Sequence, residues 1–158
     1  ANGVKPEWIQ AILRHCRGTP CNTYVFQTRN TLAFDCYYAG LLPPKCMIGT
    51  TIETNRKAPG FAPQPIFRAK GLSNCKLIDC AETFLTIEPV LDFDVDGMLD
   101  LIGIARPSFL NIGADSKRCG LDEPSAEKVL ALIDGIKKLG IEIRNKPNLD
   151  RILKGGGE

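Results

Sequence analysis

Apolar, β-branched runs that stop abruptly in polar or charged residues recur along this chain, and they set the expectations for its fold. The sharpest is 46–53, where Met47, Ile48, Thr50, Thr51 and Ile52 lead directly into Glu53, Asn55 and Arg56. The same grammar recurs at 22–30, 83–89, 108–117 and 141–148. Runs of this length, rich in β-branched and aromatic residues, read as strands. Each delivers polar groups at its C-terminal end.

Helical periodicity fills the intervals. Lys5-Pro6-Glu7 followed by Trp8, Ile9, Ile12, Leu13 and Cys16 gives an opening amphipathic helix with Gly18 as its stop, on which Trp8 and His15 are expected to pack. Further helices are expected over about 31–40 and 66–72. Another starts with Asp94 as N-cap and ends before Pro107. The clearest begins at Pro124-Ser125-Ala126-Glu127, with Val129, Leu132, Ile133, Ile136 and Leu139 on one face and Gly140 just past its end. A short helix over 149–153 closes the domain, which runs over 1–154. Residues 155–158 carry a glycine-rich tail. The segment 57–65 holds Pro59, Pro63 and Pro65 and reads as a loop at a strand's C-terminal end.

Strands that alternate with helices predict an α/β fold with a parallel sheet of about five strands. Alternation along each strand separates two faces. One face carries Ile48, Thr50 and Ile52, then Leu85 and Ile87, then Leu110 and Ile112, then Ile141 and Ile143. The other carries Met47, Gly49, Thr51 and Glu53, then Phe84, Thr86 and Glu88, then Phe109, Asn111, Gly113 and Asp115, then Glu142, Arg144 and Lys146. A doubly wound sheet covers both faces with helices and wants apolar residues on both. One aliphatic and one polar face predict instead a partial (β/α) barrel, aliphatic toward the helices and polar toward the lumen. Charges in a lumen are either paired with one another, as Glu88 or Glu142 with Arg144 or Lys146, or they hold a polar ligand.

Composition narrows this picture only modestly. The 158 residues carry a net charge of +2 with dispersed basic residues, so the charge pattern gives no support for nucleic-acid binding. No membrane-spanning run or secretory leader is legible, which makes a cytoplasmic setting the simplest expectation. The seven cysteines read as reduced thiols, several of them in apolar patterns. Cys16/Cys21 and Cys75/Cys80 are each separated by four residues, not the two of a zinc knuckle. The chain starts at Ala1 and enters a helix almost at once, as a piece of a longer protein would.

The strand endings carry a resemblance. Phe26-Gln27-Thr28-Arg29-Asn30, Ile48-Gly49-Thr50-Thr51-Ile52-Glu53, Phe84-Leu85-Thr86-Ile87-Glu88-Pro89, Asn111-Ile112-Gly113-Ala114-Asp115-Ser116 and Lys146-Pro147-Asn148 resemble, in order, those of a phage-associated family of radical-SAM-like barrel proteins of unassigned function. The Glu-Pro pair is the most specific match, and the family's Gly-Glu stands here as Ala114-Asp115. The resemblance spans nearly this whole chain and the C-terminal part of the family. The family's Cys-x3-Cys-x2-Cys motif belongs to its N-terminal part, and no cysteine triplet here has that spacing.

The resemblance implies S-adenosylmethionine and a [4Fe-4S] cluster in a full-length form, with no cluster ligand carried over to this chain. It implies that Glu53, Asn55, Arg56, Glu88, Asp115 and Ser116 contact the cofactor. Gln27, Thr28, Arg29, Lys146 and Asn148 would line the substrate side. The alternative is a catalytically inert ligand-binding or structural half-barrel. Glu53 and Glu88 at barrel strand ends also suit a glycosidase. No Gly-x-Ser-x-Gly elbow or Walker loop is present, and the single histidine argues against a Ser-His-Asp triad. Open sheet edges predict self-association.

Overall fold

Five parallel strands lie in the simplest possible order, β1-β2-β3-β4-β5, each hydrogen-bonded to the next in sequence. The structure is a computed structural model and describes residues 4–34, 38–57, 62–76, 81–117 and 119–154. Helix α1 (Pro6–Arg17) precedes β1 (Tyr24–Gln27) and β2 (Cys46–Thr51). Then α2 (Pro65–Cys75), β3 (Ala81–Ile87), α3 (Val95–Ala105), β4 (Phe109–Ile112), α4 (Ala126–Lys138), β5 (Glu142–Asn145) and α5 (Asp150–Leu153) alternate in turn. The fold is α/β, as the alternating pattern predicts, and its one-directional winding is that of a partial (β/α) barrel.

The local reasons are legible. Pro6 and Pro65 occupy first-turn positions, where a missing N–H costs nothing. The Ser125 hydroxyl accepts the Lys128 N–H at 3.3 Å and starts α4. Gly140, at φ +72°, ends it in a backbone conformation that only glycine adopts freely. Asp94 stands at the N-cap of α3, with its side chain engaged elsewhere, and α3 ends at Ala105 before Pro107.

Three further expectations meet the structure in part. Leu32 and Ala33 are helical and Ala39–Leu41 forms a 3₁₀ turn, while the middle of the expected 31–40 helix lies outside the described residues. So do 58–61 of the proline-rich loop and the terminal glycines. Trp8 and His15 do not pack into the core. Trp8 is 57% exposed, with Lys5 Nζ 5.5 Å from its ring, and the core-facing residues of α1 are Leu13 and Cys16. Trp8 and Ile12 sit about 100° around the helix from Ile9 and Leu13, on the shoulder of the apolar stripe.

The two strand faces part as the alternation predicts. Ile48, Ile52, Leu85, Ile87, Leu110 and Ile112 are fully buried in one core with Leu72, Met98, Ile102, Leu132 and Ile136 of the helices. No described helix packs on the opposite face. Its residues stack in tiers fixed by the register: Gly49 opposite Phe84 and Phe84 opposite Phe109, then Thr51 opposite Thr86 and Thr86 opposite Asn111. In the lower tier the Phe84 and Phe109 rings stack at 5.4 Å and 5° between planes, and the Arg144 guanidinium lies 3.6 Å from the Phe109 centroid. These aromatics form a floor; the polar strand ends lie above it.

Gly49 makes room for that floor, because a Cβ there would fall 2.2 Å from Phe84 Cζ. Gly49→Ala should destabilise the fold by about 1–3 kcal/mol through overpacking, with Phe84→Leu restoring part of the loss. Urea denaturation of the single and double variants checks this, and wild-type stability in Gly49→Ala would contradict it.

Candidate functional site at the strand C-terminal ends

All eleven expected site residues lie at, or just beyond, the C-terminal ends of strands in this one sheet, the end at which barrel sites lie. They divide into four groups of contacts, each with its own physical role.

Glu53 leaves β2 nearly buried and is held from two sides. Its Oε2 accepts from Arg68 Nη1 at 3.0 Å, and its Oε1 pairs with Arg29 from the turn after β1. Arg68 is 1% exposed and also donates to the carbonyls of Thr51, at 3.0 Å, and Pro63, at 2.6 Å. One buried guanidinium therefore ties the end of β2, the loop before α2 and the Glu53 carboxylate together. Gln27 Nε2 donates to Thr51 Oγ1 at 3.1 Å, and the Thr28 hydroxyl accepts the Asn30 N–H at 3.0 Å, turning the chain after β1.

Asn55 and Arg56 face the start of α3. The Asn55 amide oxygen accepts the Asp94 N–H at 2.9 Å, which caps the helix from outside. Arg56 bridges Asp92 at 2.6 Å and Asp94 at 3.2 Å, and Lys128 Nζ reaches the other oxygen of Asp92 at 2.6 Å. Hydrogen bonding from Lys128, reinforced by Arg56, holds the Asp92 carboxyl below its ordinary range. The Arg56 and Asn55 side chains do the same for Asp94, and the Asp94 hydrogen bond raises Arg56.

Glu88 closes β3. Its carboxylate receives Lys146 Nζ at 2.5 Å and Asn148 Nδ2 at 3.2 Å, both from the far side of β5. Gly113 permits this approach, since a Cβ there would meet Asn148 Oδ1 at 2.9 Å and Glu88 Oε1 at 3.0 Å. Glu142 pairs with Arg144 at 2.7 Å.

Asp115 works within its own turn: Oδ1 accepts the Lys117 N–H at 3.0 Å and Oδ2 accepts that of Cys119. Ser116 stands exposed on that turn. Glu123 fastens the turn to α5 through a two-pronged pair with Arg151, both contacts at 2.7 Å, and Glu123 Oε1 accepts the Asp115 N–H at 2.8 Å. The Arg151 bond lowers the Glu123 carboxyl, and the same bond raises Arg151.

Between the first two groups lies a cleft of about 360 Å³ lined by Arg29, Glu53, Thr54, Arg56, Lys57, Pro89, Leu91, Asp92 and Asp122. Three cations and three carboxylates surround an apolar base of Pro89 and Leu91. Lys57 and Asp122 are exposed, and neither side chain has a hydrogen-bond or ion-pair partner among the described residues. The size suits a nucleoside or amino acid.

Among the described residues no three His, Cys, Asp or Glu side chains converge to hold a metal ion. Cys16, Cys46 and Cys75 are buried, while Cys21 and Cys119 are exposed; Cys36 and Cys80 lie outside the described residues. No described helix is long and apolar enough to cross a membrane. Comparison of the chain with protein-family models, curated proteins and solved structures finds no match.

Sequence reasoning missed Arg68, Asp92, Lys57 and Asp122. Arg68 sits on the buried side of α2, and an arginine in a short helix gives no sign of burial. Asp92 and Asp122 lie in loops without periodicity.

Arg68→Met should cost about 3 kcal/mol, the order expected when a buried pair loses one partner. Adding Glu53→Gln should cost less than the sum of the single changes, as measured by a double-mutant cycle in urea. Asp92, Asp94 and Glu123 have depressed carboxyls, so their contribution to stability is present above the ordinary carboxylate range, about pH 4, and lost as pH falls through their folded-state values. The thermal midpoint should fall on acidification from pH 6 to pH 3, less steeply in an Arg56→Gln/Arg151→Met variant.

Proposed function

We propose that this chain is the small-molecule-binding portion of a (β/α) barrel, and that its strand-end cleft holds a zwitterionic ligand of the S-adenosylmethionine class. The observation that carries the reading is the cleft's charge arrangement over an apolar base. Arg29 and Lys57 offer cations to a carboxylate, Glu53 and Asp122 offer carboxylates to an ammonium, and Pro89 and Leu91 offer a surface to an apolar or aromatic group. An amino-acid end and an adenosyl end need this combination.

The contacts assign different work to the residues expected on the cofactor. Glu53, held by Arg68, is the fixed carboxylate of the cleft. Asn55 and Arg56 shape its wall by pinning α3. Asp115 and Ser116 belong to a separate turn, and Glu88, Lys146 and Asn148 form a cluster of three at the ends of β3 and β5. The described residues do not fit an iron-sulfur cluster, so the proposal is one of binding. When bound, S-adenosylmethionine supplies a sulfonium and an adenosyl group, and this chain's residues orient the ligand and shield it from water.

One set of observations favours the rival reading of an inert structural half-barrel: Glu53, Glu88, Asp92 and Arg56 all have protein partners. Calorimetric titration with S-adenosylhomocysteine separates the two. The binding reading expects a saturable isotherm, weakened at least tenfold in an Arg29→Gln/Lys57→Gln variant that keeps the wild-type circular dichroism. No heat of binding up to millimolar ligand, or equal affinity in the variant, would favour the structural module.

A further inference from the structure

The tier between the aromatic floor and the charged rim has a chemistry of its own. Register places Thr51 opposite Thr86, Thr86 opposite Asn111 and Asn111 opposite Arg144, so the four side chains form one row across β2 to β5 on the face without helices. Thr86 is 7% exposed and Asn111 half-buried, yet neither the Thr86 hydroxyl nor the Asn111 amide has a hydrogen-bond partner among the described residues. Polar groups without a protein partner are open to a ligand or water.

Arg144 gives the row its sign. Its guanidinium carbon lies 3.6 Å from the Phe109 centroid, which carries it from β5 over β4, and its Nε is taken by Glu142 at 2.7 Å. The Nη edge has no protein partner among the described residues. A guanidinium fixed by stacking loses little freedom on binding, and its planar edge matches a carboxylate. In the tier above, Glu88 would oppose an anion, but Lys146 at 2.5 Å and Asn148 at 3.2 Å neutralise it. The row itself carries no carboxylate, and Glu142 beside it is engaged at Arg144 Nε, which leaves the Nη edge to an anion.

We infer that this row is an oxyanion subsite, in which Arg144, Asn111 and Thr86 take the carboxylate of a substrate. The inference rests on the reading of this sheet end as ligand-binding, but on residues that the cleft does not use.

The test is a nitrogen-edited NMR titration of the chain with sodium acetate, benzoate and inorganic phosphate at constant ionic strength, following Thr86, the Asn111 side-chain amide and the Arg144 Nε–H. Saturable shifts confined to this row are expected for both acetate and benzoate. Affinity should fall at least tenfold in Arg144→Gln and Asn111→Asp but stay unchanged in Arg14→Gln, which alters an exposed cation on α1. Tighter binding of phosphate at the same residues would identify the oxyanion as phosphoryl and overturn the carboxylate assignment. Non-saturable shifts, or shifts that survive Arg144→Gln in a folded variant, would overturn the subsite altogether. A parallel titration with S-adenosylhomocysteine, read at Leu91 and Asp122, shows separately whether the cleft binds.

Discussion

The polar end of this sheet depends on one buried guanidinium. Arg68, in the second helix, is withdrawn from water and satisfied by two backbone carbonyls and the Glu53 carboxylate. Burying a charge costs several kcal/mol unless it is paired and fully hydrogen-bonded, so the surrounding backbone has little freedom to move without losing that satisfaction. The arrangement fixes where β2 ends, where the loop ahead of α2 returns, and where Glu53 stands. Arg29 then reaches Glu53 from β1, and the cleft has a defined wall.

The other charges of the rim are organised on the same principle. Cations reach across from a neighbouring element to three further carboxylates: Arg56 and Lys128 to Asp92, Lys146 to Glu88, Arg151 to Glu123. Half-exposed pairs of this kind contribute little stability individually. Their value is positional, because each bond joins segments that follow different strands. They also leave an uneven distribution of free groups, with Lys57 and Asp122 at the cleft and Thr86, Asn111 and the Arg144 edge lower on the wall.

Much of this was legible in the sequence. Period-two alternation identified both faces of β2, β3 and β4, and the polar and charged residues on one face argued correctly for helices on the other. The strand C-terminal ends were legible too, because apolar runs cannot continue through Glu53 or Glu88. What a side chain does there was not legible. Asn55 and Asp115 look like ligand groups in sequence, yet they are engaged by the backbone N–H groups of Asp94, Lys117 and Cys119, contacts made by loop geometry. Trp8 misled because a broad helical stripe does not show which edge turns inward. Arg68 was invisible because its burial is a tertiary fact.

A crystal structure of the chain soaked with S-adenosylhomocysteine tests the central claim most directly. The account predicts the ligand's amino-acid end between Arg29, Lys57 and Asp122, with its adenosyl end over Pro89 and Leu91 and the Arg68–Glu53 contact retained. A ligand bound elsewhere on the surface, or a cleft whose side chains close on one another at saturating ligand, would contradict it.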